Sequence, residues 1–332
     1  MAKQVYNVFF TQEKWGKVNK YNKDLLEDFI LELKASGKSL GTIAQYRNDI
    51  RIIFIYILEE IDNKKICDLK KKHFRNLVLY FKDKGMSNAR VNRLKSAVSS
   101  MLEFASNEED YEDDIVINYA GKIKGLQKDN VRDIIFLTWG EVMIIHDELK
   151  QQQRYQEMLL LSLAIDSAGR RNELHQVEKD SITENGNFTN EVVGKRNKRF
   201  RLMYHEMTKE AYKLYMQQRG QDDLKELWLC KDMSGKTPAD KDTLYSWVVS
   251  WRKLLEKHTG EYKPFNAHSF RHISLETLSD GTHYVCKKLN KTFDINELKL
   301  LAHHESIDTT NSYLRDKSDD KLLEAFGINK EE

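Results

Sequence analysis

The sequence predicts a mainly α-helical protein: a helical N-terminal domain, then an α+β domain with one small antiparallel sheet. Three observations predict it. Apolar residues recur at helical spacing through residues 18–107, one β-hairpin signal falls within residues 181–205, and an acidic, then polar, stretch separates the two regions. The expected boundaries are an extension at 1–17, a helical domain at 18–110, a linker at 111–131 and a second domain at 132–332.

In SLGTIAQYRNDIRIIFIYI, Ile43, Tyr46, Ile50, Ile53 and Ile57 mark one helix face, with Ser39 or Thr42 as its cap. In MSNARVNRLKSAVSSMLEFA, the stripe is Val91, Leu94, Val98, Met101 and Leu102, capped by Ser87 or Asn88. A polybasic turn, KKICDLKKKHF, and a short helix, NLVLYFKDKG, lie between them. The linker reading covers EEDYEDD and GKIKGLQKDNVRD. Thr138 and Glu141 then form the capping-box pattern that opens the second domain. Its β signal is SITENGNFTNEVVGKRNKRFRLMYH, with an Asn-Gly turn at 185–186 and β-type runs on either side. The rest reads as mostly helical, with Trp247 and Trp251 in the core.

Net charge is only +2, but the cations are grouped. Residues 64–95 hold eleven Lys/Arg against two Asp, and KRNKRFR at 195–201 holds five in seven residues. Such stripes suit a phosphate-bearing partner. Arg90, Arg93 and Lys95 are candidate contacts in the first stripe, and Arg196 and Lys198 in the second. Three dispersed cysteines exclude a disulfide framework and fit a reducing cytosol. The N-terminal residues have no signal-peptide pattern, and no apolar run of about eighteen residues occurs, so a membrane span is not expected.

Four stretches carry chemistry. SAGRRNEL contains Arg170 and Glu173; VVGKRNKRF contains Lys195; HSFRH contains His268, Arg271 and His272; and LLAHHESIDTTNSY contains His303, His304 and, nine residues beyond His304, Tyr313. Two arginines can neutralise the nonbridging oxygens of one phosphodiester. A tyrosine can serve as a covalent nucleophile. A lysine or histidine can protonate the departing oxygen. The set is complete for phosphoryl transfer without a metal or other cofactor, and neither an HExxH motif nor a nearby cysteine ligand is present.

These stretches resemble the tyrosine recombinase (phage integrase) family. Its T-G-x-R-x-x-E-L box is matched by Ser167-Ala168-Gly169-Arg170 and Glu173-Leu174, and its lysine loop by Gly194-Lys195-Arg196-Asn197-Lys198. Its H-x-x-R-H box is matched by His268, Arg271 and His272. Its L-G-H-x-S-I-x-T-T-x-x-Y box is matched by His304, Ser306-Ile307, Thr309-Thr310 and Tyr313. The match extends over residues 132–328, and the helical domain resembles the family's core-binding domain with weaker motifs. Departures occur at Ala168 and His303, where the family has glycines, at Ala302, where it has leucine, and in an apparent insertion at 282–293.

The resemblance implies a two-domain, C-shaped clamp on duplex DNA, of the simple type without an arm-binding domain. Tyr313 would attack the scissile phosphate to give a 3′-phosphotyrosyl link. Arg170 and Arg271 would hold the phosphate, His268 and His304 assist, and Lys195 protonate the 5′-oxygen. Glu173 and His272 would support them. It further implies a tetramer passing through a Holliday junction, joined by the C-terminal helix in DDKLLEAFGI, and a cytoplasmic, nucleoid-associated location. A type IB topoisomerase-like enzyme and a non-catalytic DNA-binding protein on the same fold are the alternatives.

Overall fold

The computed structural model describes residues 8–127, 135–232 and 235–314. The chain divides into two compact units, Met1–Asp133 and Ile134–Glu332.

The first unit is helical. Its elements are α1 (Gln12–Lys17), α2 (Lys20–Ala35), α3 (Leu40–Glu60), α4 (Lys71–Asp83) and α5 (Asn88–Ala105). Ser39 caps α3 by accepting from Thr42 N, and Ser87 caps α5 by accepting from Arg90 N. The predicted stripes are buried, apart from half-buried Tyr46. Helix α3 is more deeply enclosed than an amphipathic pattern suggests: Ile52, Phe54 and Ile55 are buried as well. Helix α4 begins at Lys71, inside the stretch read as a basic turn; Phe74, Leu77, Val78 and Phe81 bury its apolar face.

Up to residue 127, the predicted linker is packed on this unit rather than free. Tyr111, Ile115, Ala120 and Ile123 lie in its core. Asn92 ties the segment down, its Nδ2 donating to Leu126 O at 2.8 Å and its Oδ1 accepting from Leu126 N at 2.8 Å. Composition marked the segment as polar, but several of its sparse apolar residues find the core, while Val116 and Ile117 stay exposed.

The second unit opens with α6 (Trp139–Gln151), α7 (Tyr155–Ser167) and α8 (Arg171–His175). The capping box forms: Glu141 N donates to Thr138 Oγ1, and Thr138 N to Glu141 Oε2. Helix α7 is buried along ten consecutive residues, Met158 to Ser167, and is the unit's axis. Strands β1 (Phe188–Val193) and β2 (Arg199–Met203) pair antiparallel. The connecting turn is residues 194–198, not the Asn-Gly pair. Asn185–Gly186 precedes β1, and Tyr204 Oη, bonded to Thr183 N at 2.9 Å, anchors that approach.

After α9 (Glu206–Arg219), a second antiparallel pair appears, β3 (Leu229–Asp232) and β4 (Gly235–Pro238), in a stretch that reads as mostly helical. Helices α10 (Lys241–Thr259), α11 (Ser269–Asp280), α12 (Tyr284–Leu289), α13 (Ile295–Leu301) and α14 (Ile307–Asn311) complete the described residues. Trp251 is fully buried in α10, whereas Trp247 is half-buried against the core. The insertion at 282–293 forms α12, held by Tyr284 Oη donating to the buried Asp166 at 2.7 Å. The expected C-terminal helix at 319–332 lies outside the described residues. No helix among the described residues is long and apolar enough to cross a membrane.

Candidate active site

The second unit gathers the predicted side chains from four places in the chain. Arg170 is the N-cap residue of α8. Its backbone N–H donates to Glu173 Oε2 at 2.8 Å and its Nη1 to Glu173 Oε1 at 2.9 Å. Glu173 is buried, so it fixes both the start of the helix and the direction of the guanidinium.

Arg271 lies in α11 and is 1% exposed. Its Nη1 donates to Ala168 O at 2.5 Å, and its Nη2 to Ala302 O at 2.5 Å and His304 Nε2 at 2.6 Å. Its Nε has no partner, and no carboxylate bridges it among the described residues. Burial, and then the charge of Arg170, lower its pKa to about 10, which still leaves a cation at neutral pH. The guanidinium carbon sits 5.2 Å from the centre of the Tyr313 ring.

Tyr313 follows α14 and is largely enclosed. His268, His272 and His304 surround its ring, with centroid separations of 5.2, 4.4 and 5.0 Å. His272 Nδ1 is 3.0 Å from Tyr313 O, which requires Nδ1–H to donate. His272 therefore holds the tyrosine's backbone.

The paired histidines differ in geometry. Arg271 can only donate, so His304 Nε2 must accept, and the proton sits on Nδ1, 3.0 Å from Thr310 Oγ1. The pKa of His304 is lowered to about 3, by burial first and then by Arg271, Arg170, His268 and His303, in keeping with this neutral tautomer. His303 points elsewhere: its ring stacks on Phe200, with centroids 4.0 Å apart. His268 keeps a solvent-open edge, yet its packed surroundings, followed by His272, Arg271 and Arg170, lower its pKa to about 4.

The two glycine replacements keep a glycine-like backbone. Ala168 has φ 50° and His303 φ 52°, the left-handed region. Each costs on the order of 1 kcal/mol relative to an ordinary conformation. The strain buys position, since residues 168 and 302 present their carbonyls to Arg271.

Lys195 stands on the β1–β2 turn, where it lines a pocket of about 170 Å³ with Arg170, Lys198 and His304. Arg196 bonds Glu305 across that pocket at 2.5 Å. Sequence reasoning missed Thr310, the carbonyls of Ala168 and Ala302, and Glu305. Of these, only Thr310 carried a signal, as the second threonine of the T-T-x-x-Y box.

The predicted cations of the helical unit fare differently. Arg90 and Arg93 both bond the buried Asp49, at 2.5 and 2.9 Å, and Lys95 Nζ donates to Ile123 O at 2.7 Å. All three candidate DNA contacts therefore have partners within the unit, and Arg93 remains partly exposed. The exposed Lys70, Lys71, Lys72 and Arg75 have no carboxylate bridge among the described residues.

This arrangement is the fold of the tyrosine recombinases. A lambda integrase tetramer bound to a Holliday junction superposes with TM-score 0.66 at 16% identity, covering 89% of this chain and 77% of that one. XerH site-specific recombinase, bound to a palindromic difH substrate in a post-cleavage complex, gives 0.64 at 16% identity, covering 90% and 83%. In sequence, the chain is 24% identical over 326 residues to the SPbeta prophage-derived recombinase-like protein YomM of Bacillus subtilis (strain 168), covering 94% of this chain and 92% of that protein. No family model matches the sequence.

Proposed function

We propose that this chain is a tyrosine-type site-specific DNA recombinase. The observation that carries the reading is Arg271, a buried cation with no carboxylate bridge among the described residues, set beside an enclosed tyrosine and a neutral histidine. Preorganised positive charge in a water-poor site is the arrangement that stabilises a phosphoryl-transfer transition state.

Arg170 and Arg271 hold the nonbridging oxygens of the scissile phosphate. Tyr313 Oη forms a bond to phosphorus as the bond to the 5′-oxygen breaks. Neutral His268 accepts the phenolic proton, and Lys195 gives a proton to the departing oxygen. His304, whose Nε2 is committed to Arg271, orients that guanidinium. The product is a 3′-phosphotyrosyl link and a free 5′-hydroxyl. Attack by a partner strand's 5′-hydroxyl reverses the chemistry and exchanges strands, with no external energy source.

Lys70, Lys71, Lys72 and Arg75 on the helical unit, with Arg196 and Lys198 on the catalytic unit, are the proposed backbone contacts to duplex DNA. Residues 319–332 join copies into a tetramer on the DNA, and the protein works in the cytoplasm on the nucleoid. The test is incubation with a nicked suicide duplex carrying the recombination site, followed by denaturing electrophoresis. A covalent protein–DNA band, and recombinant products from intact sites, support the reading. Plasmid relaxation without recombinants would assign a topoisomerase instead.

A further inference from the structure

Lys195 stands on an exposed turn in which Arg196 and Asn197 are left-handed, with φ 60° and 58°. A turn of this kind must be held if one ammonium is to serve one oxygen. Besides the backbone bond from Gly194 N to Lys198 O that closes it, three side-chain contacts tie the turn and the start of β2 to residues 303–305. The Phe200 ring stacks on the His303 imidazole, 4.0 Å between centroids and 25° between planes. Arg196 bonds Glu305, and Lys198 Nζ lies 3.5 Å from His303 O. The ion pair is 70% and 62% exposed, so it is a weak tether. The stack is the firm one.

Phe200 is also pressed under Gly194. A Cβ at Gly194 would stand 2.6 Å from the Phe200 ring. Contact therefore runs without a gap from His303 through Phe200 to Gly194, next to Lys195. On its other side, His303 adjoins Ala302 and His304, the two residues that hold Arg271 Nη2. A glycine would occupy φ 52° without strain. The imidazole offers what glycine lacks, a face for Phe200.

We propose that His303 is a positioning residue for Lys195, its ring clamping the lysine turn over the phosphate pocket through Phe200. This rests on the recombinase reading above.

The test compares wild type, H303G, H303F and K195A in full-length protein on two suicide duplexes. One is ordinary DNA; in the other, sulfur replaces the bridging 5′-oxygen at the scissile phosphate. When the P–S bond breaks, a thiolate leaves without needing a proton, so the lysine is dispensable. H303G is expected to cleave ordinary DNA about tenfold more slowly than wild type, and the sulfur substrate at close to the wild-type rate, as K195A does. H303F keeps the stack and is expected to match wild type on both. Thermal melting confirms that H303G is folded, as relief of the left-handed strain predicts. Wild-type cleavage of ordinary DNA by H303G, or equal slowing on both substrates, overturns the proposal. Absence of any wild-type adduct on either substrate overturns the recombinase reading and this inference with it.

Discussion

In the helical unit, Arg90 and Arg93 converge on one buried carboxylate, Asp49, which cancels one of their two charges where it sits. In the catalytic unit, Arg271 is buried more deeply, yet it bonds two carbonyls and a neutral histidine and has no carboxylate bridge among the described residues. Taking an arginine out of water costs several kcal/mol. The first unit offsets that cost with an opposite charge and obtains a link between α3 and α5. The second offsets it only in part and keeps a positive field beside Tyr313. A compensated arginine holds a fold together; an uncompensated one awaits an anion.

Substitutions separate the two roles. Arg271→Ala should lower the rate of strand cleavage by about 10²–10³-fold, or roughly 3–4 kcal/mol of transition-state stabilisation. The thermal midpoint should fall less than for Asp49→Ala, because buried acceptors but no charge are left stranded. Single-turnover cleavage and melting, measured on the same preparation, check both halves. Asp49→Ala should do the reverse. It leaves Arg90, whose side chain is 13% exposed, without its counter-ion, and should destabilise the helical unit by about 3 kcal/mol. Urea unfolding would read this, and an unchanged midpoint would remove the structural role given to the Asp49 pair.

Acidity tests the same contrast through the histidines. His283 and His304 both have their pKa lowered to about 3, in each case by burial first. Unfolded, they titrate near 6.5. Between those values the unfolded chain binds more protons, so their contribution is complete above about pH 6.5 and is lost as pH falls. Lowering pH from 7 to 5 should cost about 1–2 kcal/mol for each. Urea midpoints that do not move across that range would contradict the neutral assignment. The smallest effect is expected for Arg93→Gln. With its guanidinium already bonded to the shared Asp49, DNA affinity should fall less than about tenfold, and the salt slope should change by less than about one. A larger change would mean that Arg93 leaves Asp49 for a phosphate.

The contrast between the two arginine sites was only half legible in the sequence. Arg271 and Tyr313 stood in ordered boxes whose chemistry was complete before any geometry. Arg90 and Arg93 showed only as cations one helical turn apart on α5, because their partner Asp49 is 41 and 44 residues away. The same blindness to long-range partners made residues 111–127 look like a linker. On paper, only the nine-residue spacing to Tyr313 favoured His304 over His303. The left-handed backbone at 303 turns one ring to Phe200 and the next to Arg271, and no local pattern announces a positive φ at histidine. The Asn-Gly pair was a true turn signal assigned to the wrong turn, since the hairpin's own loop carries Lys195.

The central claim is that Tyr313 attacks a phosphate held by an uncompensated Arg271. The most direct measurement is proteolysis of the protein trapped on a suicide duplex, with mass spectrometry of the DNA-linked peptide, for wild type and Tyr313→Phe. The account predicts a single nucleotide-bearing peptide with the link on Tyr313, and a phenylalanine variant that binds the duplex but yields no adduct. A link on any other residue, or an adduct from Tyr313→Phe, would contradict it.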